Sequence, residues 1–99
     1  MTQHYTSGNW HVRAGSEDEF IKRWVDFIEQ TKDITVAHFD LMRDDGDSKH
    51  FVSVGTWPNK ADIGTWMGTP NFKEAFASFR DLCDEYTGGP YTHVTSVGE

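Results

Sequence analysis

Apolar side chains recur along this chain with two periods, and the changes between them mark out the elements. From Tyr5 to Val12, β-formers at both ends enclose a stretch with no helical repeat, which predicts a first strand. Arg13-Ala14-Gly15 turns the chain. Ser16, with Glu19 three residues on, has the form of a capping box, in which a hydroxyl and a carboxylate satisfy free amides at a helix start. A helix from Glu17 to about Thr31 follows, because Phe20, Trp24, Phe27 and Ile28 fall at i, i+4, i+7 and i+8. Ile21 and Val25 widen that stripe, while Glu17, Lys22, Asp26 and Glu29 lie elsewhere.

Ile34 to Met42 and Phe51 to Trp57 read as the second and third strands. The segment between them, Arg43 to Ser48, carries an Asp45-Gly46 turn signal, so the two should be antiparallel neighbours. Its acidic cluster lacks the ligand spacing of a calcium loop and reads as a solvated turn. Asn59 is placed to cap a short helix over Lys60 to Met67, which stops at Gly68. Thr69 caps the next helix, with Pro70 at its tolerated first position. Phe72, Phe76, Phe79, Cys83 and Tyr86 are spaced 4, 3, 4 and 3, which predicts helix to about Tyr86. Thr87-Gly88-Gly89-Pro90 is expected to break it, and Tyr91 to Val97 to close the chain as a fourth strand.

This order predicts an α+β fold in a single domain over 1–99: a ferredoxin-like βαββαβ antiparallel sheet with helices on one face. Both faces of that sheet carry apolar groups. Strand three puts Phe51 and Trp57 on one side and Val52 and Val54 on the other; strand two puts Phe39 and Leu41 opposite Val36 and Met42. Two apolar faces need two covers, and the simplest second cover is the sheet of an identical subunit, so a homodimer is expected.

Composition sharpens the picture of the core. Seven Phe, four Trp and three Tyr stand against two Leu, so aromatic rings must supply much of the buried area. Sixteen acidic against nine basic residues give a net charge of -7, which repels phosphate backbones and argues against a nucleic-acid partner. No apolar run approaches the ~18 residues of a membrane span, and Met1 to Trp10 lacks the basic and apolar regions of a signal peptide. A soluble, cytoplasmic protein is expected. The one cysteine, Cys83, sits in an apolar stripe and reads as a buried thiol.

Candidate chemistry is sparse. His4, His11, His38, His50 and His93 show no His-x-His or His-x-x-x-His spacing, so no metal is assigned. Asn9 is disfavoured in a strand by propensity, and is either a site residue or a buried amide bonded to backbone. His11 shares its parity and is either a general base or a strand-end imidazole. Trp66 either gates a pocket or closes the core with Ile63. Trp24, Phe72 and Phe76 are core residues or the walls of a pocket that holds its ligand by shape and apolar contact. Tyr5, Tyr86 and Tyr91 carry hydroxyls that either donate to a substrate oxygen or meet water.

Asn9-Trp10-His11-Val12, the Gly15 turn, Glu19-Phe20, the run Phe51 to Trp57 and the pattern Ile63-x-x-Trp66-x-x-x-Pro70-x-Phe72 together resemble the antibiotic biosynthesis monooxygenase domain family over nearly the whole chain. The resemblance implies a dimeric α+β barrel and two chemistries. In one, a cofactor-independent monooxygenase oxidises a small aromatic of phenol, quinol or anthrone type with dioxygen. Asn9, Trp66 and His11 are then the catalytic candidates, Trp24, Phe72 and Phe76 bind the substrate, and no cofactor is needed. In the other, haem is bound and degraded. The resemblance implies for it an Asn in the first strand, matched by Asn9, a Trp in the short helix, matched by Trp66, and an axial His, whose place is taken by Phe76. A phenyl ring cannot ligate iron, and Lys73, Glu74, Ala75 and Ala77 beside it supply no substitute. A non-catalytic dimer that binds an apolar ligand in the same pocket is the alternative from a different class.

Overall fold

A computed structural model describes residues 3–32 and 37–98. The elements run β1 (His4–Val12), α1 (Glu17–Thr31), β2 (His38–Asp44), β3 (Asp47–Trp57), α2 (Lys60–Met67), α3 (Pro70–Asp81) and β4 (Cys83–Thr92). All strand pairs are antiparallel in the order β2-β3-β1-β4, which is the ferredoxin-like arrangement expected. Among the described residues no helix is long and apolar enough to cross a membrane.

Helix starts follow the local sequence, with one exception. Asn59 accepts from the Ala61 amide and Thr69 from the Phe72 amide, as their positions predict. The capping box at Ser16 does not form: its side chain makes no cap bond, Glu19 pairs with Arg23, and Glu17 accepts instead from the Gly15 amide. Gly15 makes that turn with φ of +92°, a left-handed conformation that favours glycine.

The C-terminal third departs most from expectation. α3 ends at Asp81, and β4 covers Cys83–Thr92 where the sequence suggested helix, a break and a later strand. Arg13 draws the chain out of the helix. Its amide bonds the Leu82 carbonyl, its guanidinium donates to the Asp81 carbonyl, and it pairs with Asp84. The register then shifts, so that His11 opposes Glu85 and Val12 opposes Cys83. This irregularity lets Cys83 and Tyr86, three residues apart, both reach the core, and a bulged strand thereby imitates a helical repeat. Gly88, Gly89 and Pro90 are tolerated within β4 because it is an edge strand. The described part of β2 runs from His38, with Ala37 before it outside the strand, and residues 34–36 of the suggested strand lie outside the described residues.

Pleat parity sorts the sheet into two faces. Trp10, Val12, Phe51 and Trp57 are buried against the helices with Phe20, Phe27 and Phe79. Trp10 lies at the centre, its ring 4.1 Å from Tyr86, 5.3 Å from Phe20 and 5.4 Å from Phe76. The other face carries Val52, Val54 and Met42, as the alternation predicts; Val36, the remaining apolar residue expected there, is outside the described residues.

Candidate functional site

Three glycines open space on the helix side of the sheet. Gly8 lies beside the indole of Trp10, Gly55 beside that of Trp57 and Gly88 beside the phenol of Tyr86, so close that a Cβ at each would fall within 3 Å of the neighbouring ring. The rings therefore lie flat along the strands instead of standing up from them. Above this floor runs the cleft to α1, α2 and α3. An inner void of about 30 Å³ is lined by Gly8, Gly55, Ser53, Phe76 and Tyr86 among others, and it can hold about one water. Trp24 and Phe39 separate it from two outer hollows of about 300 and 510 Å³ along α1 and β2. Only the outer hollows reach the size of a small-molecule site.

The polar groups of the void are hydroxyls. Trp10 Nε1 donates to Ser53 Oγ at 3.0 Å and Trp57 Nε1 to Thr6 Oγ1 at 3.1 Å. Each hydroxyl spends acceptor capacity on an indole and retains its own hydrogen for another partner. The Tyr86 hydroxyl makes no hydrogen bond among the described residues. Burial, ahead of the influence of nearby charges, pushes its pKa above the ordinary tyrosine value, so it stays a donor. Among the described residues lining the void there is no carboxylate and no imidazole.

The residues singled out in the sequence divide between the two faces. Trp24, Trp66, Phe72 and Phe76 meet in the cleft, where Trp66 lies 4.7 Å from Phe72 and Phe72 stacks on Phe76 at 4.0 Å. Trp66 is 4% exposed and its Nε1 donates to Thr31 Oγ1, so its N–H already has a partner. Asn9 and His11 leave the sheet on the opposite side. Trp10 and Val12 take the core, and strand alternation turns the residues between them outward. The structure thus does not bring Asn9 and His11 together with Trp66. Ser53, Thr6 and the glycine floor are the features sequence reasoning missed. Gly8-x-Trp10, Gly55-x-Trp57 and Tyr86-x-Gly88 are the signals that mark them, since residues two apart in a strand share a face.

The outward face holds a different constellation, in which histidines sit beside carboxylates. His50 Nδ1 meets Asp44 Oδ2 at 2.9 Å, His38 Nε2 meets Asp40 Oδ1 at 3.2 Å, and His11 opposes Glu85 in the sheet register. The His50 hydrogen bond, followed by that from the Gly46 amide, holds the Asp44 carboxyl below its ordinary pKa. Nε2 of His50 lies 3.0 Å from Asn9 Oδ1, and its ring stacks on that of His11 at 4.5 Å. Among the described residues no group of three or more His, Cys, Asp or Glu is placed to hold a metal ion. Haem fits poorly as well, because Phe76 offers no ligand and packs among Trp10, Phe72 and Phe79.

Cys83 is buried at the start of β4. Burial first, then the Asp84 carboxylate, pushes its thiol pKa up to about 11. It should react with a disulfide reagent far more slowly than a free thiol at pH 8, and at the free-thiol rate in denaturant, as absorbance of the released thiolate will show. Equal rates in both conditions would contradict its burial.

A family model of antibiotic biosynthesis monooxygenases matches residues 5–78. No curated protein matches. Among solved structures, SnoaB, a cofactor-independent oxygenase from Streptomyces nogalater, is similar with a TM-score of 0.86 at 15% identity, covering 100% of both chains. A conserved protein from Methanosarcina mazei Go1 gives a TM-score of 0.83 at 16% identity over 92% of each chain. A protein from Shewanella oneidensis gives 0.81 at 12% identity, over 93% of this chain and 91% of its own. At such identities the likeness is one of fold.

Proposed function

Because this chain belongs to the antibiotic biosynthesis monooxygenase family, we propose that it oxidises a flat aromatic of phenol, quinol or anthrone type with dioxygen, in the cleft between its helices and its sheet. The observation that carries this reading is the pairing of an aromatic-walled cleft with three hydroxyls, on Ser53, Thr6 and Tyr86, that keep hydrogens to donate. Such donors stabilise negative charge on a substrate oxygen, and rings around them exclude water. The electron-rich anion of an anthrone then reduces dioxygen directly: its ring carbon loses two hydrogens and gains one oxygen atom, and those hydrogens leave with the second oxygen as water. The substrate supplies every electron.

The inner void is smaller than any such substrate, so Trp24 and Phe39, the side chains it shares with both outer hollows, are the ones that must yield. Trp66, tied to Thr31, is a fixed wall in this reading. The test is oxygen consumption by metal-stripped protein across a panel of phenols, hydroquinols and anthrones. Uptake that needs folded protein and survives Asn9→Ala is the expected result. Quenching of tryptophan fluorescence by these compounds without uptake would assign the cleft to ligand binding alone.

A second copy of the chain is proposed to cover the outward sheet face, where Val52 and Val54 stand beside Met42 and Tyr91, which are 47% and 57% exposed. Light scattering at micromolar concentration should return the mass of two chains. A single-chain mass would overturn this assembly while leaving the cleft intact.

A further inference from the structure

We propose that the larger outer groove selects an aromatic that carries a carboxylate, and that Arg43 is the residue that reads it. This rests on the cleft being the substrate site, and it adds the substrate's charge. The groove of about 510 Å³ runs between α1 and β2, with Ile21, Trp24, Phe39, Leu41 and Phe51 as its apolar walls. Arg43 stands among them, its guanidinium carbon 4.8 Å from the centre of the Phe51 ring. Phe51 is 2% exposed, so the guanidinium rests on the edge of the hydrophobic core.

Arg43, like Arg80 and several lysines, is in no ion pair among the described residues, and it is the one of these cations that lines the groove. Arg13 has Asp84, Arg23 has Glu19 and Lys32 has Glu29, whereas no carboxylate lies within ion-pairing distance of Arg43 among the described residues. Three acidic groups line the two hollows that Arg43 borders. Asp40, the acidic residue of the groove, is engaged by His38. Glu17 and Asp18 line a separate hollow on the other side of Arg43, and Glu17 accepts from the Gly15 amide.

A guanidinium held over a ring by its carbon has N–H groups left for a planar partner, and a carboxylate accepts two of them side by side. A chain of net charge -7 disfavours anions over most of its surface, so one cation in an apolar groove confers a contrast in affinity that the walls alone do not. With its carboxylate on Arg43, an aromatic acid lays its rings along Leu41 and Phe39 towards Trp24, the side chain that also borders the inner void.

The experiment titrates the whole protein with hydroxynaphthoate and with naphthol, two ring systems that differ by the carboxylate, reading tryptophan fluorescence. Hydroxynaphthoate is expected to bind about tenfold more tightly, from a charge-assisted pair of hydrogen bonds. Arg43→Gln should abolish that preference and leave naphthol affinity unchanged, and Arg43→Lys should retain part of it. Equal binding of the two compounds by the unaltered protein would overturn the assignment of Arg43 while the cleft reading stands. Failure of both to bind would overturn the cleft reading and this inference together. Equal loss of both in Arg43→Gln would assign Arg43 to packing and overturn its role in selection.

Discussion

Gly55→Ala is expected to lower stability by about 3 kcal/mol, a large share of what a domain of this size possesses. The added methyl would sit 2.6 Å from Thr6 Oγ1, 2.7 Å from Phe39 Cε1 and 2.9 Å from Trp57 Nε1. Two of those atoms form the hydrogen bond that satisfies the Trp57 indole, so the methyl both overfills the core and pushes a buried donor off its acceptor. Overpacking costs roughly 1–3 kcal/mol and a stranded donor about as much again. Relief by strand movement is restricted, because β3 is held by β2 on one side and β1 on the other. Gly89→Ala is the contrast: nothing lies within 4 Å of its added methyl, and the change should stay within about 0.5 kcal/mol. Denaturant midpoints of the two variants test the difference, and similar midpoints would remove the argument that Gly55 is kept bare by the ring beside it. In a thermal melt each kcal/mol corresponds to about 4–8 °C.

The same glycine floor shows what was legible in the sequence and what was not. In β1 the β-formers without a helical repeat marked a strand, in β3 the alternation of Phe51 and Trp57 with Val52 and Val54 exposed the two-faced sheet, and the Asp45-Gly46 turn paired β3 with β2. Alternation in β1 also held the information that Trp10 and Val12 point inward, and therefore that Asn9 and His11 cannot share a cavity with Trp66. The resemblance of Asn9 and Trp66 to residues of one family site obscured that parity. In β4 the local signal was itself misleading. A strand with a register shift presented Cys83 and Tyr86 at helical spacing, and the contacts that end α3 come from Arg13, nearly seventy residues earlier. Such long-range competition leaves no trace in a local window. Ser53 and Thr6 were invisible for a related reason: their hydroxyls gain meaning only from the indoles that strand pairing lays against them.

Tyr86→Phe is expected to reduce turnover about 100-fold, the cost of removing one donor from a site that stabilises a developing oxyanion. Stability should hardly change, because the lost hydroxyl has no hydrogen-bond partner within the described residues and the ring keeps its stack on Trp10. That combination separates a group that touches substrate from one that supports the fold. The pH dependence follows from the same environment. Tyr86 has a raised pKa, so it remains protonated and able to donate through the ordinary tyrosine range near 10. The described residues around the void include no imidazole or carboxylate to act as base, so the rate should climb with ionisation of the substrate itself. Two substrates of different acidity should then give profiles displaced by that difference, and His11→Gln should leave both unmoved. A profile fixed near pH 6.5 for every substrate would instead point to an imidazole. If His11→Gln or Asn9→Ala then abolished turnover while Tyr86→Phe did not, the chemistry would belong to the outward face with Asn9 and His50, and the cleft would be only the core.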